Sequence, residues 1–225
     1  MTLGVVIQAR MGSSRLPGKV LKPIAGRPLL GHVLGRLGQL RSPAQVIVAT
    51  STESGDDAIA DFCTSHGIAC FRGSERDVLA RYVECARLWQ LCHIVRLTAD
   101  NPFTDIEELD RLIELHLSGK TDYSHSFGRL PIGVAAEIFS RQALERSARE
   151  GHATHHREHV DEYILENPGQ FSCAVLEVSK HKCSPSLRLT VDTQEDYERA
   201  CRLAEKARDK WLTTEEAIEL CSHSA

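Results

Sequence analysis

Three fixed cations, Arg10, Arg15 and Lys19, lie within one short run near the start of the chain: Gln8-Ala9-Arg10-Met11-Gly12-Ser13-Ser14-Arg15-Leu16-Pro17-Gly18-Lys19. The small residues between them let backbone N–H groups converge on an anion, and the guanidinium and ammonium groups match the charge of a polyphosphate. A solvated basic turn is the bland alternative. Two carboxylates much later in the chain could complete a site. Asp100 sits in Arg96-Leu97-Thr98-Ala99-Asp100-Asn101-Pro102 and Asp192 in Leu189-Thr190-Val191-Asp192-Thr193. Magnesium takes one or two carboxylates together with phosphate oxygens and waters. Read alone, each aspartate serves equally well as a turn or pre-cap residue.

The loop is not a Walker A motif. Five residues separate Gly12 from Gly18, and Val20 follows the lysine where a magnesium-binding hydroxyl is needed. No D-x-D metal motif of the kind glycosyltransferases carry occurs, and the intact set of cations and aspartates argues against a non-catalytic scaffold.

The elements that must position these residues follow from hydrophobic patterning. Gly4–Ala9, Val46–Thr50, Ile94–Thr98 and Leu187–Val191 read as strands, and uninterrupted apolar runs of this kind suit strands buried on both faces. Between them, Leu79, Tyr82, Val83, Ala86 and Trp89 recur at helical spacing, as do Ile106, Leu109, Leu112, Ile113 and Leu117. Ser54 with Asp57, Thr104 with Glu107, Thr193 with Asp196 and Thr213 with Glu216 have capping-box spacing. The alternation predicts an α/β fold with a mostly parallel sheet covered by helices on both sides. In such a sheet the carboxyl ends of the strands share one edge, so the basic loop and both aspartates can meet there.

Bulk properties fit one domain over residues 1–225, with a His-rich, charged segment around 123–168 read as an insertion that supplies a dimer contact and part of a pocket. The chain has 225 residues, 42% of them hydrophobic and 26% charged, with a net charge of −4. That charge disfavours a general nucleic-acid binder. No apolar run approaches the roughly 20 residues of a membrane span. Eight cysteines without a C-x-x-C pair read as free thiols in a reducing cytoplasm.

The run Gln8–Lys19 resembles the signature loop of the cytidylyltransferases that make CMP-activated acidic sugars, and is most similar to the spore-coat polysaccharide branch. Uridylyl- and thymidylyltransferases of sugar phosphates carry a glycine pair where this chain has Gln8-Ala9-Arg10. The resemblance extends to Asp100-Asn101-Pro102 and to Val191-Asp192-Thr193-Gln194-Glu195-Asp196, matching D-x-P and V-D-T-x-x-D segments in order. It implies the three-layer, Rossmann-like fold of nucleotide-diphospho-sugar transferases and transfer of CMP from CTP to a sugar-like acceptor. It also implies a nucleotide site of Gln8, Ala9, Arg10, Gly12, Ser13, Ser14, Arg15 and Lys19, with magnesium on Asp100 and Asp192. Arg72, at a strand end in Arg72-Gly73-Ser74-Glu75-Arg76-Asp77, is expected to reach the nucleotide.

For the acceptor, Leu130–Glu137 and Arg157-Glu158-His159-Val160 resemble family segments beside the pocket, which points to Glu137, Arg157, Glu158 and His159. Glu137 falls in an apolar run and needs a partner, either an internal arginine or a ligand. His155 and His159 have a spacing that could bind zinc, but the glutamate is misplaced for H-E-x-x-H. Asp161 stands where a threonine often follows this element, and the late dimer-region motifs of sialic-acid and Kdo cytidylyltransferases are not apparent, so the resemblance leaves the acceptor open.

Overall fold

The computed structural model describes residues 2–222. In chain order the elements are β1 (Leu3–Gln8), β2 (Pro23–Ile24), β3 (Arg27–Pro28), α1 (Leu29–Leu37), β4 (Gln45–Ser51), α2 (Asp57–Ser65), β5 (Ala69–Gly73) and α3 (Val78–Leu88). There follow β6 (His93–Thr98), α4 (Ile106–Gly119), β7 (Tyr123–His125), β8 (Glu137–Ser140), α5 (Arg141–Glu150), α6 (Thr154–Glu158), α7 (Glu162–Glu166), β9 (Cys173–Val175), α8 (Gln194–Glu205) and α9 (Thr214–Ser222).

Seven strands form one sheet in the order β5-β4-β1-β6-β8-β7-β9, while β2 and β3 make a small hairpin. The pairs β1–β4, β1–β6 and β4–β5 are parallel, and β8 runs antiparallel to both β6 and β7. The chain therefore builds outward from β1 in one direction through β4 and β5, then returns to lay β6 on its other side. That reversal opens a crevice beyond the carboxyl ends of β1 and β6.

Alternation along the strands explains the layers. Val5 and Ile7 face one side, packed with Leu30 and Val33 of α1, Ile59 of α2 and Leu109 and Leu112 of α4. Val6 faces the other side, with Leu79 and Tyr82 of α3, Leu144 of α5 and Ile164 of α7. Both faces are covered, as the apolar strand sequences require. A third cluster includes Leu189 and Val191, Ala200 and Leu203 of α8, and Ala217 of α9.

Expectations at Leu187–Val191 and at two helix starts are corrected. Leu187–Val191 is extended but is no strand of the main sheet, because β8 already occupies the place beside β6. Instead Ile132 N–H donates to the Leu187 carbonyl and Leu189 N–H to the Ile132 carbonyl, both at 2.8 Å. The segment 123–168, expected as an insertion, contributes β7 and β8 to the sheet. Finally, capping boxes close at Thr193–Asp196 and Thr213–Glu216, but Asp105, not Thr104, caps α4 by accepting the Glu108 N–H at 3.0 Å. Ser54 and Asp57 form no capping box: Asp56 stands at the N-cap of α2, and its carboxylate turns back toward the basic loop. Cys63 and Cys85 are buried free thiols, whereas Cys173 and Cys183 are exposed. Among the described residues no helix is long and apolar enough to cross a membrane.

Candidate active site

The basic loop leaves β1 at the crevice and is pinned from behind. Ala9 is buried and donates its N–H to the Ala49 carbonyl at 3.1 Å, so it supports the site from beneath. The Met11 carbonyl accepts the N–H groups of Ser13 at 2.9 Å and Gly18 at 3.0 Å, which folds the loop on itself. Gly18 closes this turn at φ +69°, a left-handed conformation that glycine adopts without penalty. The Asp56 carboxylate accepts the Met11 N–H at 2.7 Å and also bonds Ser51. Burial alone would raise the Asp56 carboxyl, but these donors hold it below the usual carboxylate range.

Gln8, Arg10, Gly12, Ser13, Ser14, Arg15 and Lys19 line one side of a cavity of about 220 Å³. Thr98 and Asp100, at the end of β6, and Asp192 line the rest. Lys19 sets the geometry. Its side chain is buried, and its ammonium donates to Asp100 Oδ2 at 2.7 Å, Asp192 Oδ1 at 2.8 Å and the Val191 carbonyl at 2.9 Å. Arg15, itself exposed, lies 3.2 Å from Asp192 Oδ1, and Arg188 pairs with Asp192 Oδ2. Thr98 Oγ1 donates to Asp100 Oδ1 at 2.6 Å. The Asp196 carboxylate accepts the N–H groups of Asp192 at 3.1 Å and Thr193 at 3.0 Å, fixing the turn that presents Asp192.

Of the residues singled out for the nucleotide, Arg72 is not at this cavity. Its Nε donates to the Ser51 carbonyl at 2.9 Å, one terminal nitrogen to the Glu53 carbonyl at 2.9 Å, and the other pairs with Asp57 at 2.7 Å. Strand β5 lies two strands from β1, so its end falls short of the crevice and Arg72 ties down the loop after β4.

A second cavity of about 610 Å³ adjoins the first, with Arg10 on the wall of both. Arg76, Asp77, His152, Arg157 and Glu158 line it. Arg157 also lies 3.7 Å from Asp77. His159 is exposed and does not line this cavity, because α6 ends at Glu158. Glu137 is fully buried and satisfied within the protein: it pairs with Arg96, and the Tyr123 hydroxyl donates to it at 2.8 Å. Burial pushes this carboxyl up to about 7, against the pull of Arg96. The internal arginine is thus the partner that Glu137 needs, and its place among the acceptor residues is withdrawn.

The histidines do not make an i, i+4 pair. His155 and His156 each approach Glu166, at 2.7 Å through their Nε2 atoms. His156 Nδ1 accepts the Ala153 N–H at 3.3 Å, which leaves the proton on Nε2. With both Nε2 atoms on the Glu166 carboxylate, the group clasps α6 to α7.

Sequence reasoning missed the Lys19 bridge, although it named all three members. It also missed Arg188, whose i, i+4 spacing to Asp192 was a usable signal, and Asp56, which carried none.

The sequence profile of the cytidylyltransferases matches residues 4–218, and the chain belongs to that family of CTP-dependent nucleotidyltransferases. It is 37% identical over 210 residues to the spore coat polysaccharide biosynthesis protein SpsF of Bacillus subtilis, covering 91% of this chain and 87% of that one. It is 34% identical over 148 residues to the 3-deoxy-manno-octulosonate cytidylyltransferase of Idiomarina loihiensis, covering 64% and 57% of the two chains. The solved structure of a cytidylyltransferase from Leptospira borgpetersenii serovar Hardjo-bovis superposes with a TM-score of 0.92 at 32% identity, covering all of this chain and 95% of the other.

Proposed function

We propose that this protein transfers CMP from CTP to an acidic, sugar-like acceptor and releases pyrophosphate, as a step in surface polysaccharide or glycan synthesis. The observation that carries this reading is the meeting of Asp100 and Asp192 on one cation beside the basic loop. Two carboxylate oxygens converging on one point are the hard donor set that magnesium takes, so the residues fit that ion. When bound, magnesium supplies charge neutralisation at the phosphate oxygens and lowers the pKa of an attacking hydroxyl.

The protein's own contribution is positioning. Arg10, Arg15 and Lys19 hold the β- and γ-phosphates, aided by N–H groups of Gly12, Ser13 and Ser14, while Gln8 faces the nucleoside. An acceptor oxygen in the adjoining cavity attacks the α-phosphorus in line, and the bond to the β-phosphate oxygen breaks, with its electron pair leaving on pyrophosphate; a hydroxyl acceptor gives its proton to water, and a phosphate acceptor has none to lose. The cations meet that charge as it develops. Arg157 and Glu158, with Arg10 at the shared wall, bind the acceptor; His159, outside the cavity, supports that wall through α6. A homodimer built through the 123–168 region and a cytoplasmic location complete the reading.

Incubation with each of the four nucleoside triphosphates, magnesium and a panel of acidic sugars, read as pyrophosphate release, tests it. CTP with at least one acidic sugar should give turnover. Faster release from UTP would place the protein in another nucleotidyltransferase branch.

A further inference from the structure

The Lys19 ammonium has three N–H donors and uses all three, on Asp100 Oδ2, Asp192 Oδ1 and the Val191 carbonyl. In this arrangement it has nothing left for a phosphate. Two of its three acceptors are the carboxylate oxygens that the proposed function gives to magnesium. An ammonium and a divalent cation therefore compete for the same two oxygens, and neither Asp can serve both in the same geometry.

The surrounding charge sharpens the competition. The two carboxylates meet three cations, Lys19, Arg15 and Arg188, so the cluster already carries more positive than negative charge. A free divalent ion approaching it meets net repulsion, strongest from the buried Lys19 ammonium and weaker from Arg15 and Arg188, which are exposed and screened by solvent. A triphosphate reverses that balance. The backbone of Lys19 is held by bonds from its N–H to the Leu16 carbonyl at 3.2 Å and from the Lys22 N–H to its carbonyl at 3.0 Å. Its four-carbon stem keeps its rotatable bonds, so the ammonium can turn from the carboxylates to a phosphate in the same cavity without moving the main chain.

We propose that Lys19 reserves the aspartate pair: it holds Asp100 and Asp192 closed to divalent cations until a triphosphate draws its ammonium away, so that metal and nucleotide enter together. This rests on the metal assignment in the proposed function. Lys19 is then more than a phosphate contact. It keeps two carboxylates assembled a hydrogen bond apart from one cation, and hands them over only when the substrate is in place.

Manganese supplies a probe that needs no acceptor and no turnover. Free Mn²⁺ is counted by electron paramagnetic resonance during titration of the wild type, Lys19→Met and Lys19→Gln without nucleotide; with CTP, which binds Mn²⁺ by itself, protein-bound Mn²⁺ is counted by equilibrium dialysis as the excess over a protein-free chamber at the same free CTP. Without nucleotide, both variants should bind Mn²⁺ more tightly than the wild type, by about tenfold or more, since each removes the competing charge. With CTP, the wild type should retain Mn²⁺ on the protein. Equal nucleotide-free affinity in wild type and variants overturns the reserving role while leaving the metal site standing. No protein-bound Mn²⁺ in any sample, with CTP included, overturns both. If neither variant folds, the wild type decides the matter through the Lys19 ¹⁵Nζ resonance. A protected ammonium signal that shifts on addition of magnesium and CTP supports the exchange, and one that does not move contradicts it.

Discussion

The N–H of Val191 donates to the carbonyl of Asp100 at 2.9 Å. This bond stitches the 187–192 segment to the end of β6 and delivers Asp192 beside Asp100, although no strand carries it there. Gly133 makes the close approach possible. It has φ +89°, and a Cβ there would lie 2.5 Å from the Thr190 nitrogen, a backbone atom that cannot step aside cheaply. Gly133→Ala should therefore cost about 2 kcal/mol or more of stability and displace Asp192, lowering turnover as well. Thermal melting together with pyrophosphate release measures both. Wild-type values for both would show that this segment does not position the aspartate.

The loop cations should differ in weight. Lys19→Ala removes a buried, fully engaged ammonium and should weaken CTP binding in magnesium by roughly ten- to a hundredfold. Arg15→Ala removes an exposed guanidinium, and its effect should be smaller, roughly two- to tenfold. Calorimetric titration gives both numbers. Unchanged affinity in both variants would reduce the loop to a solvated basic turn.

Glu137→Ala tests the reassignment of that residue. It leaves the Arg96 guanidinium without its carboxylate, and loss of one partner from a buried pair costs about 3–5 kcal/mol. Denaturant unfolding should show this loss, with the KM for the acceptor little changed in the protein that remains folded. A large rise in KM at unchanged stability would return Glu137 to the acceptor site.

Acid sensitivity should trace in part to His116. It is fully buried, lies 3.0 Å from His93, and burial pushes it down from 6.5 to about 4. A base with a lowered folded pKa stays neutral while the unfolded chain takes up a proton. Its stabilising contribution is whole above about 6.5 and is lost as pH falls toward about 4, by roughly 2–3 kcal/mol. Glu137, pushed up to about 7, acts in the opposite sense over part of that window. The difference between wild type and His116→Gln isolates the histidine. That difference should shrink as pH falls from 6.5 to 4, and a constant difference would contradict the assignment.

The parts of the fold legible in the sequence were those set by local periodicity. β1, β4, β6, α3 and α4 follow directly from apolar spacing, and Thr193–Asp196 and Thr213–Glu216 from cap chemistry. Leu187–Val191 has the composition of a strand, yet whether it pairs depends on which neighbour fills the place beside β6, and that is decided by β8, a non-local competitor. The same limit governed the site. The residue types around the loop were visible, but Arg72 was spent on the loop after β4 and Glu137 on Arg96. Such partner choices depend on side-chain reach across the fold. The Lys19 bridge spans 81 and 173 positions of sequence, and no spacing rule foretells it.

The two-carboxylate metal site is tested most directly by pyrophosphate release against magnesium concentration for wild type, Asp100→Asn and Asp192→Asn, with CTP and an active acidic sugar. Asparagine keeps the shape and an oxygen but loses the charge that holds a hard cation. It is also a good turn and pre-cap residue, so the backbone at both positions should persist. Both variants should fold, with turnover reduced by about a hundredfold or more at low magnesium and a higher magnesium requirement. Wild-type turnover at low magnesium in either variant would contradict the two-carboxylate site.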